Sequence, residues 1–151
     1  MEKVRSHIAY DKEMCVACYT CEVACKQEHG FPVTTDWIKV VRHPVYVKDN
    51  RLARDYSIRR CRHCKDPECM KVCPEEAVYK NADGIVLIRE GACSGCGLCV
   101  EACPFHAMGF DEEQQVASKC TLCLHLIQKG FQPSCVKHCP SHALEWVPEP
   151  F

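Results

Sequence analysis

The sequence predicts a small α+β fold of short helices and β-hairpins that is organised around cysteine side chains. Sixteen of the 151 residues are cysteine, and they fall into four groups of four with none left over. Two β-prone runs flank the turn signal Asp83-Gly84, which predicts a hairpin over residues 77–88. Since no Gly/Ser-rich or Pro-rich tract separates two folding units, we expect a single unit.

Two further segments predict β structure near the end of the chain. Residues 107–110 and the run from residue 116 onward predict a second hairpin, with residues 111–115 as its turn. Residues 143–147 predict a last strand, which stops before a proline.

The longest stretch without cysteine predicts an additional hairpin. Residues 37–42 and 45–47 are β-prone, Lys48-Asp49-Asn50 is a turn signal, and residues 51–58 form the return strand. The hairpin has two possible roles. It is either a docking surface for a partner, with Trp37 at or near the contact, or a cover for an otherwise wet metal site.

The amino-terminal residues 1–10 contain no apolar run, no twin arginine and no small-residue cleavage site. The longest purely aliphatic run covers only residues 85–88, whereas a membrane helix needs roughly 20 residues. We therefore expect a cytoplasmic protein without direct membrane insertion, in a compartment where disulfides are rare.

Candidate metal ligands are the cysteines of the four groups. These are Cys15, Cys18, Cys21 and Cys25; Cys61, Cys64, Cys69 and Cys73; Cys93, Cys96, Cys99 and Cys103; and Cys120, Cys123, Cys135 and Cys139. We expect short helices to carry the last cysteine of each group, as in residues 21–28 and 69–73.

The first and third groups have the spacing C-x2-C-x2-C-x3-C. Three thiolates at this spacing bind one cuboidal 4Fe–4S cluster, while the fourth cysteine reaches a second cluster. A proline follows the last cysteine at Pro74, Pro104 and Pro140. The four groups together predict four 4Fe–4S clusters. Clusters held this close together permit one-electron hops between them.

Zinc is the main alternative, because the pairs Cys61/Cys64 and Cys120/Cys123 alone would fit a four-thiolate zinc site equally well. Zinc pairs normally lack a third cysteine at the next step and a following proline. A disulfide scaffold is the other alternative, and the reducing compartment disfavours it.

The remaining polar residues predict no catalytic site and no nucleotide or flavin site. With sixteen thiolates and four oxidised cluster cores, the formal charge of −1 becomes about −9, which excludes a nucleic-acid role. The basic residues Arg59, Arg60, Arg62 and Lys65 either compensate this charge or form a solvated face. His63, between two ligands, is expected to donate a hydrogen bond to a cluster sulfur or a backbone carbonyl.

Three motifs resemble one protein family closely. They are CRHCKDPECMKVCP at residues 61–74, CSGCGLCVEACP at residues 93–104 and KCTLCLHLIQKGFQPSCVKHCP at residues 119–140. The family is the four-cluster ferredoxin-like iron–sulfur subunit of the dimethyl sulfoxide reductase type. It is found also with formate dehydrogenases, hydrogenases and tungsten aldehyde oxidoreductases. The resemblance covers residues 11–147, with Leu126 where many relatives place an arginine.

The resemblance implies two interleaved bacterial-ferredoxin-like lobes. The outer lobe would comprise residues 1–31 and 117–151, and the inner lobe residues 61–116, with residues 32–60 as an inserted hairpin. It also implies ligand sets that cross between groups. The sets are Cys15, Cys18, Cys21 with Cys139; Cys120, Cys123, Cys135 with Cys25; Cys61, Cys64, Cys69 with Cys103; and Cys93, Cys96, Cys99 with Cys73.

The function that the resemblance implies is electron transfer without catalysis. The chain would relay single electrons to or from a catalytic molybdenum or tungsten pterin subunit, such as an aldehyde oxidoreductase or a formate dehydrogenase, with a flavin-containing subunit as a further candidate partner. The alternative is a free or self-associating polyferredoxin that serves a hydrogenase or a carbon monoxide dehydrogenase.

Overall fold

Eight short strands pair two by two into four antiparallel sheets within residues 6–148, the part of the chain that the computed structural model describes. The strands are β1 His7–Tyr10, β2 Ile38–Lys48, β3 Arg51–Arg60, β4 Val78–Lys80, β5 Val86–Ile88, β6 Met108–Asp111, β7 Val116–Lys119 and β8 Leu144–Val147. The helices are α1 Thr20–His29, α2 Glu68–Lys71, α3 Leu98–Ala102, α4 Leu124–Ile127 and α5 Ser134–Lys137, with a 3-10 turn at Glu90–Ala92. This mixture of short helices and hairpins confirms the α+β prediction.

Two predicted hairpins lie at the positions that their turn residues indicate. β4 pairs with β5, and the Asn81 side-chain oxygen accepts hydrogen bonds from the backbone N–H groups of Asp83 and Ile85 at 3.1 and 2.9 Å. Gly84 adopts a φ of 77° in that turn, a conformation that glycine reaches without strain. β6 pairs with β7 in the same way, and β7 includes residue 116 and the three that follow. The lobe boundary predicted after residue 116 therefore falls within a strand.

The first and last strands pair with each other. The predicted strand at the end of the chain is β8, and its antiparallel partner is β1, which the sequence did not predict. Ile8 of β1 and Leu144 of β8 are both 3% exposed and belong to one apolar core with Ile38, Leu122 and Val136. A second apolar core contains side chains of β4 to β7.

The helices are short, as predicted, but most end before the last cysteine of their group. Only Cys25 lies within a helix, whereas Cys73 follows α2 and Cys139 follows α5. Cys103 is the residue after α3. A proline disfavours helical backbone at the residue before it, and each of these three cysteines precedes a proline. Lys26 follows Cys25 instead, so α1 continues to His29.

The additional hairpin consists of β2 and β3 and extends beyond the body of the protein. Asp49 and Asn50 have φ values of 50° and 59°, as a two-residue type I′ turn requires. The register shifts between Arg42 and Val45, next to Pro44, which cannot donate to the ladder. Near its root the hairpin buries side chains, whereas every residue of β2 beyond Val41 is exposed.

Trp37 packs inside the root of this hairpin. Its indole N–H donates to Ser118 Oγ at 2.6 Å, and its ring centroid lies 4.4 Å from that of Phe31 and 4.7 Å from that of His29. These contacts leave Trp37 half-buried, and its position at or near a partner contact stays a prediction. Trp37 joins the root of the hairpin to β7, so the root covers the body and the tip projects from it.

Within residues 6–148, no helix is both long enough and apolar enough to cross a membrane.

Candidate iron–sulfur sites

Cysteines from the second and third groups line one pocket together. Cys61, Cys64 and Cys69 come from the second group, and Cys103 comes from the third. Apolar side chains, including Val86, complete most of the wall. The three sequential thiols are thus brought together with a fourth from another group.

The exchange of cysteines is reciprocal in a second pocket. Here Cys93, Cys96 and Cys99 of the third group meet Cys73 of the second. Cys96 is exposed, whereas Cys99 is 6% exposed. The second and third groups therefore exchange their last cysteines.

A third pocket is lined by segments from near the two ends of the chain. Cys15, Cys18 and Cys21 of the first group line it together with Cys139 of the fourth. Cys18 is exposed, and Cys21 is buried beside it. The pairing of β1 with β8 and the contact of α1 with α5 bring these distant segments together.

The remaining cysteines form a buried set. Burial, followed by the charges of Cys120, Cys123 and Cys25, raises the pKa of Cys135 well above its usual range. The pKa of Cys25 is raised in the same way, first by burial and then by Cys120 and Cys123. These four thiols are close enough for their charges to interact, although they come from the first and fourth groups.

The backbone between the ligands turns sharply at residues with positive φ. Ala17, Tyr19, His63 and Leu122 have φ values between 47° and 62°, a region that non-glycine residues rarely adopt. These turns direct backbone N–H groups at sulfur. His63 N–H donates to Cys61 Sγ and Leu122 N–H to Cys120 Sγ, both at 3.4 Å. Such bonds stabilise negative charge on a thiolate and tune the potential of a cluster bound to it.

Burial raises the pKa of eight of the sixteen thiols and so favours their protonated form when no metal is bound. It raises the pKa of Cys21 to about 12 and those of Cys69 and Cys123 to about 11. The exposed Cys18 differs, because a hydrogen bond from the Thr20 side chain lowers its pKa. A metal that binds these sites must therefore displace protons from buried sulfur, which couples its binding strongly to pH.

The arrangement of donors fits a polynuclear cluster. Sixteen unpaired thiols are the donor type that 4Fe–4S clusters use. Within residues 6–148, no three Cys, His, Asp or Glu side chains converge closely enough to hold one ion. The thiols of three of the four sets instead line the walls of separate pockets. A cuboidal cluster bound at its corners needs thiols spaced more widely than a single tetrahedral zinc ion does.

His63 has a different hydrogen bond from the predicted one. It is 6% exposed, and its Nδ1 accepts a hydrogen bond from the backbone N–H of Val86 at 3.2 Å. Burial, together with the positive charges of Lys119 and Arg60, lowers the pKa of His63 to about 2. Nδ1 is therefore an acceptor, and Nε2, which is buried without a partner among the described residues, is the nitrogen left to donate. Its hydrogen bond to a cluster sulfur or a carbonyl stays a prediction.

Sequence reasoning missed Lys119, which is 3% exposed beside two sets of cysteines. Strand alternation could have found it, because Lys119 lies two residues from Ala117 in β7, and Ala117 is also 3% exposed. Of the four predicted basic residues, Arg60 is the one that turns inward. Its guanidinium donates to the backbone carbonyls of Ile8 and Cys61.

Gly95 provides a test of how tightly the third group is held. It has a φ of 70°, and a Cβ there would lie 2.4 Å from the Gln115 carbonyl oxygen. We expect Gly95→Ala to destabilise the iron-loaded protein by roughly 2–4 kcal/mol, read as a lower thermal midpoint under anaerobic conditions. Gly97→Ala is the matched control, because Gly97 has a φ of 74° and no atom within 4 Å of its Cβ position. Equal midpoints for the two variants would show that the Gln115 contact has no effect.

Comparison with known proteins agrees with this geometry. Residues 52–148 match the model of the 4Fe–4S dicluster domain. The chain belongs to this iron–sulfur family. Over 147 residues it is 34% identical to a component of the anaerobic dimethyl sulfoxide reductase of Haemophilus influenzae, covering 92% of this chain and 72% of that protein. Over 144 residues it is 33% identical to the uncharacterized ferredoxin-like protein YdhX of Escherichia coli, covering 95% of this chain and 65% of that protein.

Other members of the family have names that point to reductases. The chain is 35% identical over 130 residues to a component of the tetrathionate reductase of Salmonella typhimurium, covering 85% of this chain and 52% of that protein. The chain thus spans between half and three quarters of the length of these iron–sulfur relatives. The predicted resemblance to iron–sulfur subunits of the dimethyl sulfoxide reductase type is confirmed.

Proposed function

We propose that the chain relays single electrons through four 4Fe–4S clusters to or from a catalytic molybdenum or tungsten pterin subunit. The observation that supports this most is the grouping of sixteen thiols into four sets, each drawn from two distant cysteine groups. When bound, 4Fe–4S clusters supply one-electron carriers whose potentials depend on local charge, hydrogen bonds and exposure. Aldehyde oxidoreductase and formate dehydrogenase remain candidate partners, and cytoplasmic assembly is part of the same proposal.

The proposed ligands follow these sets. They are Cys15, Cys18, Cys21 and Cys139 for the first site; Cys25, Cys120, Cys123 and Cys135 for the second; Cys61, Cys64, Cys69 and Cys103 for the third; and Cys73, Cys93, Cys96 and Cys99 for the fourth. The first two sites would belong to an outer lobe and the other two to an inner lobe. Contacts of α1 with α5 and of α2 with α3 support this division, with the boundary moved to the end of β7.

The order of the sites follows from the charges that act between them, because a cysteine of one site shifts the pKa of a cysteine in the next. The charge of Cys21 acts on Cys135, which links the first site to the second. The charge of Cys61 acts on Cys120, which links the second to the third. The charge of Cys99 acts on Cys69, which links the third to the fourth. We propose a linear relay in this order, with short steps between adjacent sites.

The two ends of this order are the sites that contain an exposed cysteine. Cys18 in the first site and Cys96 in the fourth are the exposed cysteines among the sixteen. Electrons would enter at one of these ends and leave at the other. One end suits the pterin subunit, and the other suits a second donor or acceptor, such as a flavin-containing subunit.

The tip of the β2–β3 hairpin is the proposed docking element for the pterin subunit. Val47 and Leu52 lie opposite each other on one face and are 68% and 81% exposed. Met14 and Val16, beside the first site, are 50% and 67% exposed. Glu13 lies near enough to Tyr46 for its charge to act on it, so the tip stands close to this site. A partner bound to both surfaces would come near Cys18.

We expect Leu52→Asp to weaken the complex with the catalytic subunit by more than about tenfold, because a charge would replace apolar contact area. The affinity can be measured by titrating the purified partner against the iron-loaded chain. Val33→Asp is the matched control, since Val33 is 86% exposed outside the tip. Equal weakening by both variants, or none by either, would contradict docking at the tip.

Purification of the chain from its native host under anaerobic conditions tests the function as a whole. We expect a brown protein with about sixteen irons per chain that dithionite bleaches, together with a large pterin-containing partner. Repeated recovery as a lone monomer would contradict the proposal. Concentration-dependent chains in analytical ultracentrifugation would favour the self-associating polyferredoxin instead, which the two exposed ends also permit.

A further inference from the structure

Lys119 is a buried cation that has no carboxylate partner among residues 6–148. It ends β7 with 3% of its surface exposed. The ion pairs found within that part of the chain do not include it. A buried ammonium is unfavourable unless negative charge lies nearby. The surroundings of Lys119 should therefore contain that charge.

The groups around Lys119 belong to the two inner sites of the proposed relay. Its Nζ donates to the backbone carbonyl of Cys120 at 2.7 Å, and Cys120 is a proposed ligand of the second site. The same ammonium donates to the carbonyl of Val86 and lines the cavity of the third site, where Cys69 and Cys103 lie. One positive charge thus stands between two sets of thiolates.

Arg60 brings a second cation to the same place. Its Nη1 donates to the backbone carbonyl of Cys61 at 2.9 Å, and Cys61 is a proposed ligand of the third site. Its charge also interacts with Cys120 and Cys135 of the second site. Both cations therefore face the junction of the second and third sites.

We infer that Lys119, assisted by Arg60, raises the reduction potentials of the clusters at the second and third sites. The inference rests on the proposed function, because it requires clusters at those sites. Reduction adds one negative charge, and a nearby ammonium stabilises the reduced form. Lys119 is shielded from water, so its effect is screened less than that of a surface lysine. The end sites lack such a buried cation among the described basic residues.

Redox titration of the iron-loaded chain, followed by electron paramagnetic resonance, tests this role with three substitutions. Lys119→Met removes charge and hydrogen bonds, Lys119→Gln removes charge but keeps a donor, and Lys119→Arg keeps the charge. We expect Met and Gln to lower one or two midpoint potentials by a tenfold change in the one-electron equilibrium, about 59 mV, and Arg to leave them near wild type. Lys129→Met is the control, because it removes the same charge from an exposed position.

Several outcomes would overturn the inference. These are unchanged potentials in both neutral variants, normal potentials in Lys119→Gln alone, or an equal shift in Lys129→Met. If the neutral variants lose iron and Lys119→Arg keeps it, the requirement for charge is supported. Loss of iron in all three variants would overturn the inference, since iron binding would then depend on the shape of the lysine side chain and not on its charge. A wild-type chain without any reversible one-electron signal would instead refute the proposed function.

Discussion

Removal of iron is expected to unfold most of the chain. All four sheets in residues 6–148 have only two strands, and isolated two-stranded hairpins are marginally stable in water. The longest helix, α1, has 10 residues, which is too short to be stable by itself. Cysteines also fill part of both apolar cores, so the ligands themselves are core residues. Metal binding should therefore supply much of the free energy of folding.

Circular dichroism of the iron-loaded and chelator-treated chain, under anaerobic conditions, measures this effect. We expect a cooperative thermal transition with iron and none without it, and recovery when iron and sulfide are restored. A cooperative transition in the metal-free chain would contradict the expectation. Full recovery with zinc alone would instead support the zinc alternative, for which Cys61/Cys64 and Cys120/Cys123 have suitable spacing.

Features governed by local chemistry could be predicted from the sequence. The hairpin around Asp83-Gly84 follows from a turn whose backbone needs glycine and an Asn81 side chain that bonds the turn. The hairpin with Asp49-Asn50 follows for a similar reason. The candidate ligands could be predicted because the geometry of a metal site determines the spacing of the cysteines that bind it. The end of α2 before Cys73 could also have been predicted, since the proline that follows Cys73 disfavours helical backbone at this cysteine.

Features that depend on distant packing could not be predicted in this way. The partner of β8 is β1, and only the folded chain brings the two together. Trp37 is half-buried against Phe31 and Ser118, and only the folded chain brings Ser118 of β7 to its indole N–H. Alternation along β7 puts Lys119 on the same face as Ala117, but its hydrogen bond to the carbonyl of Val86 depends on where β5 lies relative to β7.

Substitution of the last cysteine of the first or the fourth group is expected to remove one cluster. The lost cluster should be the one whose other three ligands belong to the other group. Cys139→Ser should abolish the same spectroscopic component as Cys18→Ser, because both thiols line the cavity between the ends of the chain. Cys25→Ser should abolish the component lost in Cys123→Ser, because those thiols share the buried set. Each variant should retain about three quarters of the iron, about twelve atoms per chain.

Electron paramagnetic resonance of the four reduced variants, with iron analysis, separates crossed from uncrossed ligation. If each cluster took its ligands from one group, Cys25→Ser would resemble Cys18→Ser, and Cys139→Ser would resemble Cys123→Ser. That pattern would contradict the exchange of ligands that the cavities indicate. The crossed pattern matters for function because a shared ligand segment ties the two sites of a lobe together. Cys21 and Cys25 lie one helical turn apart on α1, so one short helix would hold two clusters at a fixed, short separation.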